Sequence, residues 1–361
     1  LYEEQTRRGI SIRHWDEFSD VADHCTVCHK CEKPCPVDID TGEVSLLERR
    51  ILVERRFKHT ALPTRMTLRY LGSRNRVFNS LFRRVVLGWG TWAQRRGAQT
   101  VRLLGARAKV ARVAPLNLLG SPVRAPSARP LYRRLPQYHP SQSLLIPPSE
   151  EALRTVFYFP GCGSERLYAD IGEASLYLLL RSRTRVVLPP RFLCCGFPFG
   201  ANAKTREQDR RTLANAIVFS QIREMLGFLD FSACVVSCGT CREALGAMGI
   251  REIFSCPIED VSGFVLRHGL PARLEGEALY HRPCHDSLED GGLKLLRDTL
   301  GAEVTAVPHC CSEAGTLSLS RPDIAAQMLA KKADALRVIA REQGHPTSRI
   351  LTNCPSCLQG L

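Results

Sequence analysis

The sequence predicts an α+β multi-domain chain, in which a small helical module with four closely spaced cysteines precedes an α/β cysteine-rich unit that occurs twice. Three observations predict it. Cys25, Cys28, Cys31 and Cys35 share the single run CTVCHKCEKPCP. Ten of the other twelve cysteines form two sets with the same internal order. From about residue 150, short β-branched or aromatic runs alternate with helical stretches, and nearly every cysteine of the two sets follows such a run. The expected divisions are 1–58, the helical module; 59–149, a basic helical and Pro-rich connector; 150–270, the first repeat; and 271–361, the second.

The module comes first. Its spacing, C-x2-C-x2-C-x3-C-P, is that of bacterial ferredoxins and predicts a 4Fe-4S cluster on Cys25, Cys28, Cys31 and Cys35. Thiolates so close on a tight loop can reach one cluster, and Pro36 stops the loop from continuing as a helix through the last ligand. Zinc also takes C-x2-C pairs, but usually with the pairs about a dozen or more residues apart. In two-cluster ferredoxins the fourth cysteine serves the other cluster; the next cysteine here is Cys162, so Cys35 either closes one cluster or serves a quartet upstream of Leu1. The chain begins at Leu and stops four residues after Cys357, and it reads as a fragment cut at both ends.

The connector is set apart by charge. Residues 55–148 hold nineteen Lys or Arg and no Asp or Glu, so the remainder of a chain of net charge +14 is net acidic. Val77, Phe78, Leu81, Phe82, Val85 and Val86 recur near helical spacing, with Arg83 and Arg84 beside them and Trp89 and Trp92 following. An Arg-rich amphipathic helix with aromatic residues suits an anionic membrane surface. The plainer reading is a linker helix lying on an acidic surface of a part upstream or downstream. Nucleic acid, the other partner of basic patches, ranks below both and is not expected. Residues 113–149 are Pro-rich and read as an extended, irregular connector.

The repeat is legible in the cysteines. Cys162, Cys194, Cys195, Cys238 and Cys241 form one set; Cys284, Cys310, Cys311, Cys354 and Cys357 form the other. From the second member of each Cys-Cys pair to the closing C-x2-C there are 43 positions in both sets, which points to internal duplication. The first interval differs, 32 positions against 26, so loop length varies there. Strands are expected at 155–159, 185–188, 233–237, 278–281, 304–307 and 350–352, and long helices at 204–226 and 324–339. Ligands of open α/β sheets collect beyond the carboxyl ends of the strands, so each set should converge on one pocket, the two facing one another across a pseudo-twofold axis. A helix starting just after such a cysteine would stabilise a thiolate-bound cluster by its positive end. Cys234 and Cys256 have no counterparts and are expected as buried thiols outside both pockets.

Composition sets the context. Of 361 residues, 44% are apolar and 24% charged, ordinary for a folded chain able to bury two or three cores. No apolar run is long enough to span a bilayer, and no signal peptide is visible. Sixteen cysteines without an export signal argue for metal or redox use in a reducing compartment rather than for a disulfide framework, so a cytoplasmic protein is expected.

The order Cys, Cys-Cys-Gly, C-x2-C, occurring twice, resembles the CCG or cysteine-rich domain shared by a heterodisulfide reductase component, the glycerol-3-phosphate dehydrogenase iron-sulfur subunit and the iron-sulfur parts of glycolate and D-lactate oxidases. Phe159-Pro160-Gly161-Cys162 and His281-Arg282-Pro283-Cys284 resemble the openings of the family's two repeats, and Leu193-Cys194-Cys195-Gly196 resembles its middle motif. The resemblance covers residues 20–50 and 150–361 and includes a ferredoxin module ahead of the duplicated domain. One departure stands out: the second pair reads Cys310-Cys311-Ser312-Glu313, without the Gly, which is expected to alter the turn there.

The resemblance implies that both five-cysteine sets bind iron-sulfur clusters and that the chain is part of a flavin-fused bacterial 2-hydroxyacid dehydrogenase. The FAD would sit on an upstream domain or subunit and oxidise a lactate- or glycolate-type substrate. The clusters would pass electrons to a quinone or another membrane acceptor, at the inner face of the cytoplasmic membrane. Substrate chemistry then lies elsewhere, and no catalytic residue is assigned. The alternative is disulfide reduction at the CCG clusters themselves; a zinc-bearing nucleic-acid binder ranks lower. His281, His285 and His309 flank expected ligands and could tune a cluster through hydrogen bonds or donate a proton to a quinone.

Overall fold

The computed structural model describes residues 15–361 apart from 59, 106–118, 120–122, 137–138, 140–141, 269–272, 290, 314–316 and 343–348. It is a mixed α/β structure with fifteen α-helices and two sheets among the described residues.

Helices α1 (Trp15–Asp23) and α2 (Thr41–Glu54) bracket the loop that carries the first four cysteines. They bury Phe18, Ala22 and Leu52 together, and Trp15 stacks on Phe57 with ring centroids 4.7 Å apart. Asp40 starts α2 by accepting from the backbone N–H of Gly42, one of the donors that a helix start leaves unpaired.

Residues 62–103 of the basic stretch are largely helical: α3 (Leu62–Gly72), α4 (Arg76–Phe82), a π-helical segment Arg83–Gly90, and α5 (Thr91–Leu103). Phe78, Phe82, Val86 and Leu87 pack against Tyr70, Leu71 and Leu167. The opposite face leaves Val77, Leu81, Val85, Trp89 and Trp92 exposed. The segment lies on the α/β part of this same chain. Buried Arg166 donates to the carbonyls of Tyr70 (2.5 Å) and Ser73 (3.2 Å), and Arg83 turns inward to the carbonyl of Arg166 (2.5 Å). The described part of the Pro-rich stretch is less irregular than expected; residues 113–118, 120–122, 137–138 and 140–141 lie outside the described residues. Leu131 and Tyr132 are fully buried in the first sheet's core, and residues 144–146 form an edge strand, because their apolar side chains complete that core.

The first sheet comprises β1 (Leu144–Ile146), β2 (Arg154–Phe159), β3 (Thr184–Leu188), β4 (Ala233–Val236) and β5 (Ile258–Asp260), in the order β1-β3-β2-β4-β5. Only β1 is antiparallel to its neighbour. Its helices are α6 (Ala169–Arg181), α7 (Phe197–Ala201), α8 (Thr205–Met225), α9 (Gly239–Ala247), α10 (Ile250–Phe254) and α11 (Val261–Arg267). Side chains alternate along a strand, and both faces of β2 are covered. Val156 and Tyr158 pack with Leu176 and Leu179 of α6 and Phe264 of α11, whereas Phe157 and Phe159 pack with Phe219 of α8 and Phe254 of α10.

The second sheet contains β6 (Glu277–Tyr280), β7 (Glu303–Ala306) and β8 (Arg349–Leu351), all parallel, in the order β7-β6-β8. Its helices are α12 (Gly292–Leu300), α13 (Leu317–Ser320), α14 (Pro322–Glu342) and α15 (Pro355–Gly360). The order and direction match β3-β2-β4, and α8 and α14, each 21 residues long, occupy the same place in sequence. The six strands expected before cysteines are β2, β3, β4, β6, β7 and β8, each within about two residues of its expected bounds. No described helix is long and apolar enough to cross a membrane.

Candidate metal centre

Strand ends deliver the cysteines. β2 leads through Pro160 and Gly161 to Cys162; β3 precedes Cys194 and Cys195; Cys238 joins β4 to α9, whose first turn holds Cys241. β6, β7 and β8 lead in the same way to Cys284, to Cys310 and Cys311, and to Cys354 with Cys357. Gly161 has φ +62°, and a Cβ on it would lie 2.8 Å from Cys241 Sγ, so a side chain there would close the pocket. After the first Cys-Cys pair, Gly196 has φ +92°. Ser312, its counterpart, has φ +66°, so the turn expected to change without the Gly is kept in the same left-handed region. An L-residue there costs about 1–2 kcal/mol.

The thiols form one continuous line. Cys162 neighbours Cys194, which neighbours Cys195; Cys195 neighbours Cys241, and Cys241 neighbours Cys238. Cys238 then meets Cys354 of the other set, and Cys354 meets Cys357. Cys357 lies 3.2 Å from Cys311, Cys311 adjoins Cys310, and Cys310 lies 3.7 Å from Cys284. At the far end Cys284 neighbours Cys28. The structure therefore joins, through Cys238 and Cys354, two sets that the sequence alone presents as two facing sites, and adds Cys28 to the line.

The other three cysteines of the first run lie off that line. Cys25 Sγ accepts from the N–H of Val27 (3.3 Å), Cys35 Sγ accepts from the N–H of Ile39 (3.3 Å), and Cys31 Sγ lies 3.7 Å from an oxygen of Asp40. Cys234 and Cys256 pair with each other at 3.7 Å.

Thiols this close share their protons unequally. Hydrogen bonds from Cys162, Cys241 and Cys284 hold Cys194, Cys238 and Cys310 well below the usual thiol range. Cys284 likewise draws Cys28 down to about 5. The thiolate is the metal-binding form, so the line contains thiols already disposed to give up protons.

A second kind of donor stands beside the second set. His281 and Lys332 are both fully buried, and Lys332 Nζ lies 2.8 Å from His281 Nδ1. Burial, with Lys332 adding to it, pushes His281 down to about 4. Burial pushes Lys332 down to about 8, against the pull of Cys311, Cys310 and Cys357. A ring nitrogen of His281 and the sulfurs of Cys311 and Cys357 lie within 4.8 Å of one another, the only such trio among the described residues. A structural zinc site takes four donors at that range, and this group has three.

Residues 156–246 and 278–361 each match the family model of the cysteine-rich domain named CCG. The chain carries the CCG cysteine-rich domain twice. It is 25% identical to the probable glycolate oxidase iron-sulfur subunit of Bacillus subtilis, over 92% of this chain and 75% of that protein. Lactate utilization protein A of Geobacillus kaustophilus is 24% identical over 49% of this chain and 80% of its own length. A component of the fumarate reductase (CoM/CoB) of Methanothermobacter marburgensis is 24% identical over 55% of this chain, and the match spans only 40% of that protein.

Both CCG domains hold the cysteine loop of residues 24–36 in place. Arg49 of α2, almost fully buried, donates to the carbonyls of Ala22 (3.0 Å) and Cys25 (2.6 Å), and to that of Ala201 in the first CCG domain (2.5 Å). His285 of the second domain bonds the Val27 carbonyl (3.1 Å) and the carboxylate of Glu243 in the first. Burial opposes a charge on His285, but Glu243 outweighs it and leaves its pKa raised. His309, the third histidine beside an expected ligand, contributes its carbonyl to Lys332 at 3.3 Å. Sequence reasoning missed Arg49 and Lys332. Lys332 lies seven residues after buried Ala325, on the same face of α14, and that inward register was its one sequence signal.

Proposed function

We propose that this chain is the iron-sulfur, electron-relaying part of an oxidoreductase of the glycolate- or lactate-oxidising kind. In this reading a ferredoxin-type module is followed by a duplicated CCG domain. Cys25, Cys28, Cys31 and Cys35 hold one 4Fe-4S cluster; Cys162, Cys194, Cys195, Cys238 and Cys241 hold a second cluster; Cys284, Cys310, Cys311, Cys354 and Cys357 hold a third. The carrying observation is the unbroken line of eleven thiols from Cys162 to Cys28, because a relay needs its carriers adjacent.

The donor set fits the group. Soft thiolates select iron-sulfur clusters or zinc, and a line of this length exceeds what one zinc ion can use. Bound clusters would supply one-electron transfer at potentials set by their surroundings. The protein's own part is to keep the thiols close, through Gly161 and the strand-end turns, and to clamp the first loop to both CCG domains, through Arg49 and His285. A flavin takes an electron pair and can release it singly, so a flavin-bearing dehydrogenase domain or subunit is the expected donor. A quinone at the inner face of the cytoplasmic membrane is the expected acceptor.

The test is anaerobic reconstitution with iron and sulfide, reduction with dithionite, and mixing with either a soluble quinone or a low-molecular-weight disulfide. Rapid reoxidation by quinone and not by disulfide is expected. Turnover of the disulfide alone would favour the reductase reading, and a chain that binds no iron or sulfide would overturn both.

A further inference from the structure

We propose that His281, oriented by Lys332, donates a hydrogen bond from Nε2 to the cluster held by the second cysteine set and so raises that cluster's potential. The inference rests on the reading that each set binds a cluster.

Lys332 is buried among acceptors. Its Nζ lies 3.3 Å from the carbonyl of Val307, 2.8 Å from that of Pro308, 3.3 Å from that of His309, and 2.8 Å from His281 Nδ1. An ammonium has hydrogens only to give, so Nδ1 must accept and the imidazole hydrogen must sit on Nε2. Nε2 is buried and has no hydrogen-bond partner among the described residues. A buried donor left unpaired is costly, and the ring of His281 stands beside Cys311 and Cys357. An acceptor bound on those sulfurs would satisfy it.

The first domain has no histidine at the matched position; its cation is Arg211, whose buried Nε has no partner among the described residues and which acts on Cys194. Three residues before Cys162, where His281 precedes Cys284, the chain has Phe159. Phe159 meets Phe219 edge-on, with ring centroids 5.9 Å apart. The two pockets thus differ at one matched position, a hydrocarbon ring in the first and a held N–H donor with a cation behind it in the second. Hydrogen bonds to cluster sulfurs and nearby positive charge favour the reduced, more negative form and raise the potential. The second set is also the one that Cys28 touches, so a change in its potential falls next to the ferredoxin-type module.

The experiment uses the full chain, reconstituted anaerobically, with iron and sulfide assayed and each cluster titrated by EPR-monitored potentiometry. His281→Phe should retain its iron and lower the potential of one cluster alone. Its reduced-to-oxidised ratio at fixed potential should fall about tenfold, about 59 mV for one electron. Lys332→Met should shift the same cluster in the same direction, and His281→Gln, which keeps an N–H, should recover most of the loss. Unchanged potentials with full iron content would overturn the proposal. Loss of one cluster's iron in His281→Phe but not in Lys332→Met would also overturn it, making His281 a ligand. If the unaltered chain takes up no cluster, the functional reading itself fails, an outcome distinct from either.

Discussion

Gly239 marks how closely the two CCG domains meet. A Cβ there, one residue from Cys238, would run into the backbone carbonyl of His285 in the second domain. Gly239→Ala should therefore lower stability by about 2–3 kcal/mol in urea titrations, and a midpoint equal to the parent's would contradict the contact. Ser312→Gly should act in the opposite sense, raising stability by about 1 kcal/mol by relieving the left-handed serine. Burial pushes Glu165 up to about 7, against 4.5 in an unfolded chain. Between those values the folded state holds a proton that the unfolded state has lost, so this contribution to stability is full below about 4.5 and is lost as pH rises through 7. Glu165→Gln should flatten the decline in unfolding free energy between about pH 4.5 and 7; an unaltered slope would show that Glu165 is not its source. At this scale the cysteines were legible because their spacing is their chemistry. Arg49, Glu165 and Lys332 were not, because a charged side chain announces burial only once its partners are in place.

The strands that feed the cysteines were readable as elements, since each is a short apolar run ending at a turn signal, with both faces covered in the first sheet. The edge strand β1 was hidden by the prolines around it, and its pairing with β3 depends on residues some forty positions away. The basic helix was visible from its spacing, but its docking was not. Arg83, expected to face a partner, is spent on internal carbonyls. What remains for an outside surface is the face with Val77, Leu81, Val85, Trp89 and Trp92, together with the exposed Arg84, Arg95 and Arg96 of the same helical stretch. If that face meets an anionic membrane, the protein should sediment with anionic vesicles at low salt, less so as salt rises, and Arg84→Glu with Arg95→Glu should abolish the difference from neutral vesicles. Equal partition to both vesicle types would leave the segment as a linker only.

For the whole molecule, duplication was legible from the equal 43-residue intervals, and β3-β2-β4 and β7-β6-β8 repeat one order. Sequence could not show that the two cysteine sets touch, because spacing within a repeat says nothing of the angle between repeats. The join at Cys238 and Cys354, with Cys28 at the end of the line, turns separate candidate sites into one candidate path. The most direct test of that path is the iron and labile sulfide content of anaerobically purified chain, measured beside Cys28→Ser. Brown protein is predicted, with iron and sulfide in near-equal amounts and loss of about one cluster's share of both in the variant. Colourless protein carrying zinc without labile sulfide, or a Cys28→Ser variant with undiminished iron, would contradict it.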